Sequence, residues 1–397
     1  MATDETVEAH PGDYRGVWYC SGRANLLPGK TYVYSGPMAT YCAWHRPMAV
    51  YAPEVRSTFF VFGNADNAPT IGRYDHAIGL FLEPVVLGSN PDGDAHRNPT
   101  LLVDETGHLT VFYGAHGHPT RILRSSRPFD ISVWATRPKI PQTTYPQPWQ
   151  LLPGQLFVSY RGGKISQEPG WRFQRSSDGA RSWSEPTDLV AFPGCSIYAV
   201  TVAESDAFPR KVHIAWSRLG GGSEQEVRTK HLWARRYHIY YATSDDGGET
   251  WRRSDGSRYD LPIVEETAER IYDCGTRGVW LKDIQVDPCG GPCILFNDAD
   301  PFTYESEWKV ARLESGNWAF SDVTTSDHMY DDGGLVILGA DDYRIYAPTT
   351  ATQPGEDGGE IEAWQSRDGG ATWRHLESLT RRSTYSHNNV KVVYNHE

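Results

Sequence analysis

The chain has 397 residues, 39% of them hydrophobic, and a formal net charge of −12. This is enough for a large core, and the acidity excludes a general nucleic-acid or anionic-membrane surface, so an anionic ligand would need a local basic cleft. No apolar run approaches the length of a membrane span, and six cysteines at this length do not define a disulfide scaffold.

In chain order, "MATDETVEAHPGDY" lacks the basic and apolar regions of a signal peptide. "YRGVWYC" and "TYVYSG" read as short N-terminal strands. Extended hairpins are expected near Met48–Gly63, Pro99–Ala115, Pro146–Tyr160, Ile197–Ser217, Asp283–Asn297 and Gly334–Thr350. The tail "HNNVKVVYNH" adds one strand with no partner after it. Six hairpins that each open a blade, plus a last blade made from the tail and the N-terminal strands, predict an all-β, seven-bladed β-propeller. Its ring is closed by N-terminal strands, at about 57 residues per blade. No Pro/Gly/Ser linker divides the chain, so residues 1–397 are read as one domain. The irregular segment Leu219–Arg236, with Lys230, His231, Arg235 and Arg236, is expected to project from the blade surface as a functional or disordered loop. Cys289 and Cys293 flank "GGP" and are placed to bridge across a turn.

A repeated box supports the propeller independently. "SDDGGETW" (Ser244 to Trp251) and "SRDGGATW" (Ser366 to Trp373) match S-x-D-x-G-x-T-W, and "SSDGARSW" (Ser176 to Trp183) is a degenerate copy. Asp and Gly shape the turn and Trp anchors it in the core. Fixed-period repeats indicate propellers or solenoids. The box is structural and is assigned no catalysis. The many aromatics, 14 Trp, 22 Tyr and 13 Phe, are read first as strand packing.

Two neighbouring hairpins carry the candidate site. In "DAHRNPTLLVDETGHLTVFYGAHG" paired positions sum to 212 when Asp104 opposes His108, and His96 with His116 also sums to 212. Opposed residues share a face, so two imidazoles sit at the open end of one hairpin. In "TYPQPWQLLPGQLFVSYR" paired positions sum to about 306, which is Tyr145 with Arg161. In a propeller these open ends face one rim of the channel. A lone His at a strand end is ordinarily a surface hydrogen bonder, but four such groups in mirrored registers point to a site.

These stretches, with the Asp boxes, "LKDIQVDPCGGPCILF" and "LTRRSTYSHNNVKVV", resemble the BNR-repeat (Asp-box) seven-bladed propeller polysaccharide lyases of the ulvan lyase and rhamnosyl-glucuronate lyase type. The resemblance runs from about residue 45 onward and is weaker before it. It implies β-elimination at a uronic acid in a rhamnose–glucuronate linkage: a base takes the C5 proton, the C4 oxygen leaves, and a C4=C5 unsaturated uronate forms. It implies catalytic roles for Tyr145, Arg161, His96 and His116. Arg161 suits carboxylate neutralisation. Tyr145 is a candidate base or acid, and either histidine can share the carboxylate or move a proton; the residues alone leave that division open.

The same hairpin reading places His45, Arg46, Asn98, Arg218, Lys282 and His387 on the rim as substrate-binding groups. The expected partner is an anionic uronate polysaccharide or oligosaccharide, with no nucleic acid and no membrane. A monomer, secreted or periplasmic, is expected. No cofactor is required for the chemistry. The acidic stretches "FNDADPF" and "DHMYDDGG" are considered for a structural calcium, though without recognisable ligand spacing. Two rivals stand beside the lyase. One is a sialidase-like exo-glycoside hydrolase, with Arg46, Arg161 and Arg218 as a carboxylate-binding triad. The other is a non-catalytic sugar-binding propeller.

Overall fold

The computed structural model describes residues 25–26, 33–35, 39–162, 170–204, 208–220, 236–327, 329–350, 358–383 and 386–396. A short pair, β1 (Asn25–Leu26) and β2 (Val33–Ser35), precedes four four-stranded antiparallel sheets and one seven-stranded sheet, in which a long shared strand joins two four-stranded units, so that six such units follow in chain order. Unit one is β3 (Ala49–Ala52), β4 (Ser57–Gly63), β5 (Pro69–Asp75) and β6 (Leu80–Val86). Unit two is β7 (Thr100–Val103), β8 (Leu109–Tyr113), β9 (His118–Ser125) and the first half of β10 (Trp134–Leu152). The second half of β10 opens unit three, with β11 (Gln155–Gly162), β12 (Trp171–Ser176) and β13 (Thr187–Val190). Unit four is β14 (Cys195–Ala203), β15 (Val212–Gly220), β16 (Arg236–Ser244) and β17 (Glu269–Tyr272). Unit five is β18 (Gly278–Val286), β19 (Pro292–Ala299), β20 (Ser306–Glu314) and β21 (Asn317–Ser326). Unit six is β22 (Gly334–Ile337), β23 (Tyr343–Thr350), β24 (Glu360–Ser366) and β25 (Arg374–Ser378).

The sequence explains the order of layers. Inner strands such as β18, "GVWLKDIQV", are buried along most of their length, because both faces are covered by neighbouring units. The outermost strands β6 and β25 are mostly exposed, and their Glu83, Pro84, Arg374 and Glu377 suit an unpaired edge. The inner strand of each unit packs on that of the next, from β3 to β7, β10, β14, β18 and β22. Their open ends therefore lie on one side of the molecule.

All six expected hairpins are present. The expected seventh blade differs. Among the described residues there is no seventh four-stranded unit, and β1 and β2 pair only with each other. "YRGVWYC" and part of "TYVYSG" lie outside the described residues, as do Lys230, His231 and Arg235. The tail forms no strand with β1 or β2. It lies between unit six and unit one: Val390 N–H donates to Asp332 O, and Tyr394 exchanges backbone hydrogen bonds with Ala49 and Tyr51. Val392 fills the space over Gly334, where a Cβ would meet it at 2.1 Å. Cys289 and Cys293 are free thiols, the first exposed and the second buried, so the expected bridge is absent.

The Asp boxes make the turns from third to fourth strand in units three, four and six, at the end away from the open hairpins. In each, the serine hydroxyl donates to the aspartate, at 2.9, 2.9 and 2.7 Å for Ser176, Ser244 and Ser366. The Asp246 carboxylate also accepts from Thr250 N and Oγ1, at 2.9 and 2.6 Å, and Trp251 beneath it is buried. Replacing Asp246 by Ala is expected to cost about 1–3 kcal/mol, the scale of losing a charged acceptor from buried donors. Urea unfolding measures this, and an unchanged midpoint would show that the box does not hold the turn.

Candidate active site

The site grows from a turn just before β7. Asp94 caps the 3-10 turn Ala95–Arg97, its Oδ1 accepting from His96 N–H at 3.0 Å. The same carboxylate meets His96 Nδ1 at 2.6 Å through Oδ1 and His116 Nδ1 at 2.5 Å through Oδ2. The two imidazoles stack with centroids 4.0 Å apart and planes 8° from parallel. The sequence therefore paired these histidines correctly, and Val103↔Leu109 and Thr100↔Phe112 have the expected sum of 212. It missed Asp94, which lies off the strand, where a period-two reading has no purchase. Each histidine holds its Nδ1 toward one carboxylate, which leaves Nε2 as the working nitrogen. His96 Nε2 lies 3.4 Å from the Tyr41 hydroxyl.

Tyr145 and Arg161 are brought together, though not by the expected register. Thr144 opposes Arg161 and Gln147 opposes Ser159, with a bulge between them that contains Tyr145. Tyr145 has φ 55° and His116 has φ 127°. Non-glycine residues rarely adopt this region, and such strain collects at functional sites. The Arg161 guanidinium carbon lies 4.9 Å from the centre of the buried Tyr145 ring. Tyr145 also meets His96 at 5.8 Å and His45 at 5.2 Å between centroids.

A second tyrosine, Tyr198 on β14, joins the group. Arg161 lies 4.7 Å from its ring and Arg236, the first residue of β16, lies 4.1 Å away. Burial works against ionising the Tyr198 phenol, yet the guanidiniums of Arg161 and Arg236 outweigh it and hold the phenol below its ordinary value. Tyr198 stands near the open end of the next inner hairpin, opposite Ser217, so the register argument that found Tyr145 had the means to find it.

The expected rim residues divide differently. His45 is fully buried, its Nδ1 accepting from Cys42 N–H at 3.0 Å and its Nε2 donating to His96 O at 3.0 Å. Burial pushes it down to about 3, so it supports the Tyr145 ring as a neutral imidazole. Arg46 is buried and pairs with Asp283 at 2.5 Å. Asn98 is buried and its Nδ2 donates to Ala39 O and Tyr41 O at 3.2 and 3.1 Å. Lys282 is buried beside Asp332 and donates to Met329 O at 2.6 Å. These four are internal struts and not a rim, because inner strands converge and leave their polar ends only one another as partners. Arg218 binds Glu265 at 2.8 Å. His387 pairs with Gly359 through the backbone and contacts Ser383 Oγ at 3.0 Å. A small cavity lies between His45, Arg46, Lys282, Asp283, Lys391 and Tyr394, and neither Tyr145 nor Arg161 lines it.

The arginine triad of the hydrolase rival does not assemble, since Arg46 is locked to Asp283. Such a hydrolase would also need a tyrosine nucleophile paired with a glutamate; Tyr240 donates to Glu265 at 2.9 Å, but burial first, and then Glu265, push its phenol up, away from that role. The acidic stretches considered for calcium are engaged by protein groups. Asp298 pairs with Arg277 at 2.5 Å, Asp300 accepts from Phe302 and Thr303 N–H, and Asp332 faces Lys282 and Lys391. Among the described residues, the set close enough to share an ion is Asp94, His96 and His116.

Burial, with smaller opposed contributions from Asp94 and His116, lowers His96 to about 4. The unfolded chain then binds this proton more readily, so His96 favours the fold fully above about pH 6.5, and that contribution is lost as pH falls toward 4. Nitrogen-detected NMR is expected to find His96 neutral at pH 6 and titrating near 4, and lower still in Asp94→Asn, which removes the group that supports its charge. Titration near 6.5 would show that the imidazole is not enclosed as described.

The model of a family described as BNR repeat-containing family member matches residues 40–326. An ulvan lyase of Pseudoalteromonas sp. (strain PLSV) is 23% identical over 371 residues, covering 83% of this chain and 74% of that protein. An ulvan lyase of Nonlabens ulvanivorans is 23% identical over 381 residues, covering 85% and 77%. A solved structure of a PL25 polysaccharide lyase, an ulvan lyase bound to -[GlcA(1-4)Rha3S]-, superimposes with a TM-score of 0.75 at 19% identity, covering 87% of this chain and 85% of that one.

Proposed function

The chain belongs to the BNR repeat-containing family, and from that membership we propose that it is a polysaccharide lyase that cleaves ulvan-type rhamnose–glucuronate linkages by β-elimination. The observation that carries the reading is the convergence of Tyr145, Arg161 and an aspartate-held histidine pair in one group. The similarity to ulvan lyases over most of the chain supports it, and it favours a lyase over a hydrolase or a simple sugar binder. The substrate is then an anionic polymer met outside the cell, which fits a secreted protein. We include in the proposal the seven-bladed ring of one domain, with N-terminal residues completing the last blade.

The chemistry follows from the placement. The C5 proton of a uronate is weakly acidic while its carboxylate carries full charge, so a permanent cation must sit on that carboxylate. Arg161 takes this role, able to bind both oxygens. In glucuronate the C5 hydrogen and C4 oxygen lie on the same face of the ring. One oxygen, that of Tyr145 in its deprotonated form, can therefore take the C5 proton, becoming the phenol, and pass it to the leaving O4, which restores the phenolate. His96 and His116 stack beside this group, their Nδ1 atoms on Asp94, which fixes the tautomer in the manner of other carboxylate–imidazole pairs. His96, lowered to about 4, is a neutral hydrogen-bond partner at working pH.

Tyr145→Phe is expected to keep substrate affinity and lose about 10²–10⁴-fold in kcat, since only the proton-carrying oxygen goes. Arg161→Ala is expected to weaken both kcat and KM, because the carboxylate is charged before and during the reaction. The readout is ultraviolet absorbance of the unsaturated uronate on a rhamnose–glucuronate polymer. Wild-type turnover in a folded Tyr145→Phe would remove Tyr145 from the mechanism. Turnover is also expected to survive a chelator, because Asp94 meets both Nδ1 atoms at hydrogen-bond distance. Loss of activity on chelation, restored by a divalent ion, would instead make that trio a metal centre.

A further inference from the structure

Three buried cations and the partly buried Lys391 invite comparison. Arg46 has Asp283, and Lys282 and Lys391 share Asp332. Arg236 is equally buried, at 4% exposure, yet no carboxylate pairs with it among the described residues. Among the described residues its Nε and Nη1 have no hydrogen-bond partner, while the rest of the guanidinium bonds the Tyr198 phenol. Its guanidinium carbon instead stands 3.6 Å from the Trp280 ring centre, 4.1 Å from Tyr198 and 4.8 Å from Trp44. Aromatic faces attract a cation, but they do not satisfy its N–H groups. A buried, uncompensated charge is costly, and unpaired polar atoms in such a place call for a ligand or a function.

What completes Arg236 must be an anion, and its neighbours specify which. Arg161 lies against the same Tyr198 ring at 4.7 Å, and both guanidiniums hydrogen-bond the Tyr198 phenol, so the two meet at one oxygen. Arg161 also lies 4.9 Å from the Tyr145 ring. An anion shared by both arginines is therefore held beside the proton-transferring tyrosine. The group attached directly to the carbon that loses its proton is the carboxylate. A sulfate ester on a neighbouring sugar would have to reach past it.

We propose that Arg161 and Arg236 close on the same uronate carboxylate, Arg236 being the second cation that the elimination uses. This rests on the lyase reading and adds to it a clamp in which two cations share the charge that builds as the C5 proton leaves. Aromatic walls keep water from that charge, which raises the worth of each contact. Charge selectivity then comes from the pair.

The test compares Arg236→Gln and Arg236→Lys with wild type on a uronate polymer, on its methyl ester, and on the desulfated polymer. The quantity read is the ratio of kcat/KM for acid over ester. Arg236→Gln is expected to reduce that ratio about 10²-fold, the scale of losing one preorganised donor, and Arg236→Lys to recover part of it. The reduction is expected to be the same with or without sulfate. Equal losses on acid and ester would overturn the clamp and leave Arg236 acting through Tyr198. A loss that disappears on the desulfated polymer would overturn it in favour of sulfate recognition. Arg236→Gln is expected to melt at or above the wild-type temperature, because it removes a buried charge. If it does not fold, the acid-over-ester ratio of Arg236→Lys decides. If wild type forms no unsaturated product from any uronate polymer, the lyase reading falls separately. Calorimetry with a glucuronate oligosaccharide and its ester then still reads the clamp, which requires at least a tenfold weaker acid form in Arg236→Gln. No preference for the acid in wild type would refute it.

Discussion

Inner strands that converge on one axis leave their polar side chains little choice of partner, and most of the site follows from that constraint. A charge carried into the centre must meet an opposite charge, a hydrogen-bonding group or a substrate. Arg46 with Asp283, and Lys282 and Lys391 with Asp332, take the first course. His45 takes the second, with both ring nitrogens bound to backbone. Among the described residues Arg236 has no carboxylate, and beyond the Tyr198 phenol two of its nitrogens have no partner. A functional reading of this centre begins by subtracting the groups that already balance one another.

That subtraction also explains what was legible in the sequence. Hairpins were readable because period-two patterning and turn chemistry are local. The sum of 212 holds along β7 and β8, and the pairing of His96 with His116 followed from it. The Asp boxes were readable because each closes its hydrogen bonds within a few residues. Arg46 was misjudged as a rim residue because its partner, Asp283, is 237 positions away, and no local pattern reports such a contact. Tyr145 was found one step out of register, because a bulge shifts the pairing between Thr144 and Gln147. Asp94 was missed although it lies two residues before His96, since its role depends on a 3-10 turn that directs one carboxylate at two rings.

The bulge and the turn serve a common purpose. An ideal strand would alternate Tyr145 between faces by simple register, and an ideal hairpin would leave His116 in extended backbone. Positive φ at both positions aims these side chains where regular pleating would not. Each departs from a favourable conformation at a cost of order 1–3 kcal/mol. The surrounding contacts hold them there: His45 and Trp44 against the Tyr145 ring, and Asp94 against His116. The site is thus set before a ligand arrives, which reduces the reorganisation left for the reaction itself.

A net charge of −12 appears ill suited to an anionic polymer, and the arrangement of cations resolves the difficulty. Long-range attraction from an acidic surface is weak or repulsive, and salt screens it within about 8–10 Å. Binding must then come from short-range contacts in a sheltered place. Arg161 and Arg236 are 4% exposed each and are walled by Tyr145, Tyr198, Trp44 and Trp280. Charges so enclosed are screened far less than surface ones. On the proposed reading, an acidic exterior with a small cationic interior would admit a carboxylate by fit at the site, while offering little general affinity for other polyanions.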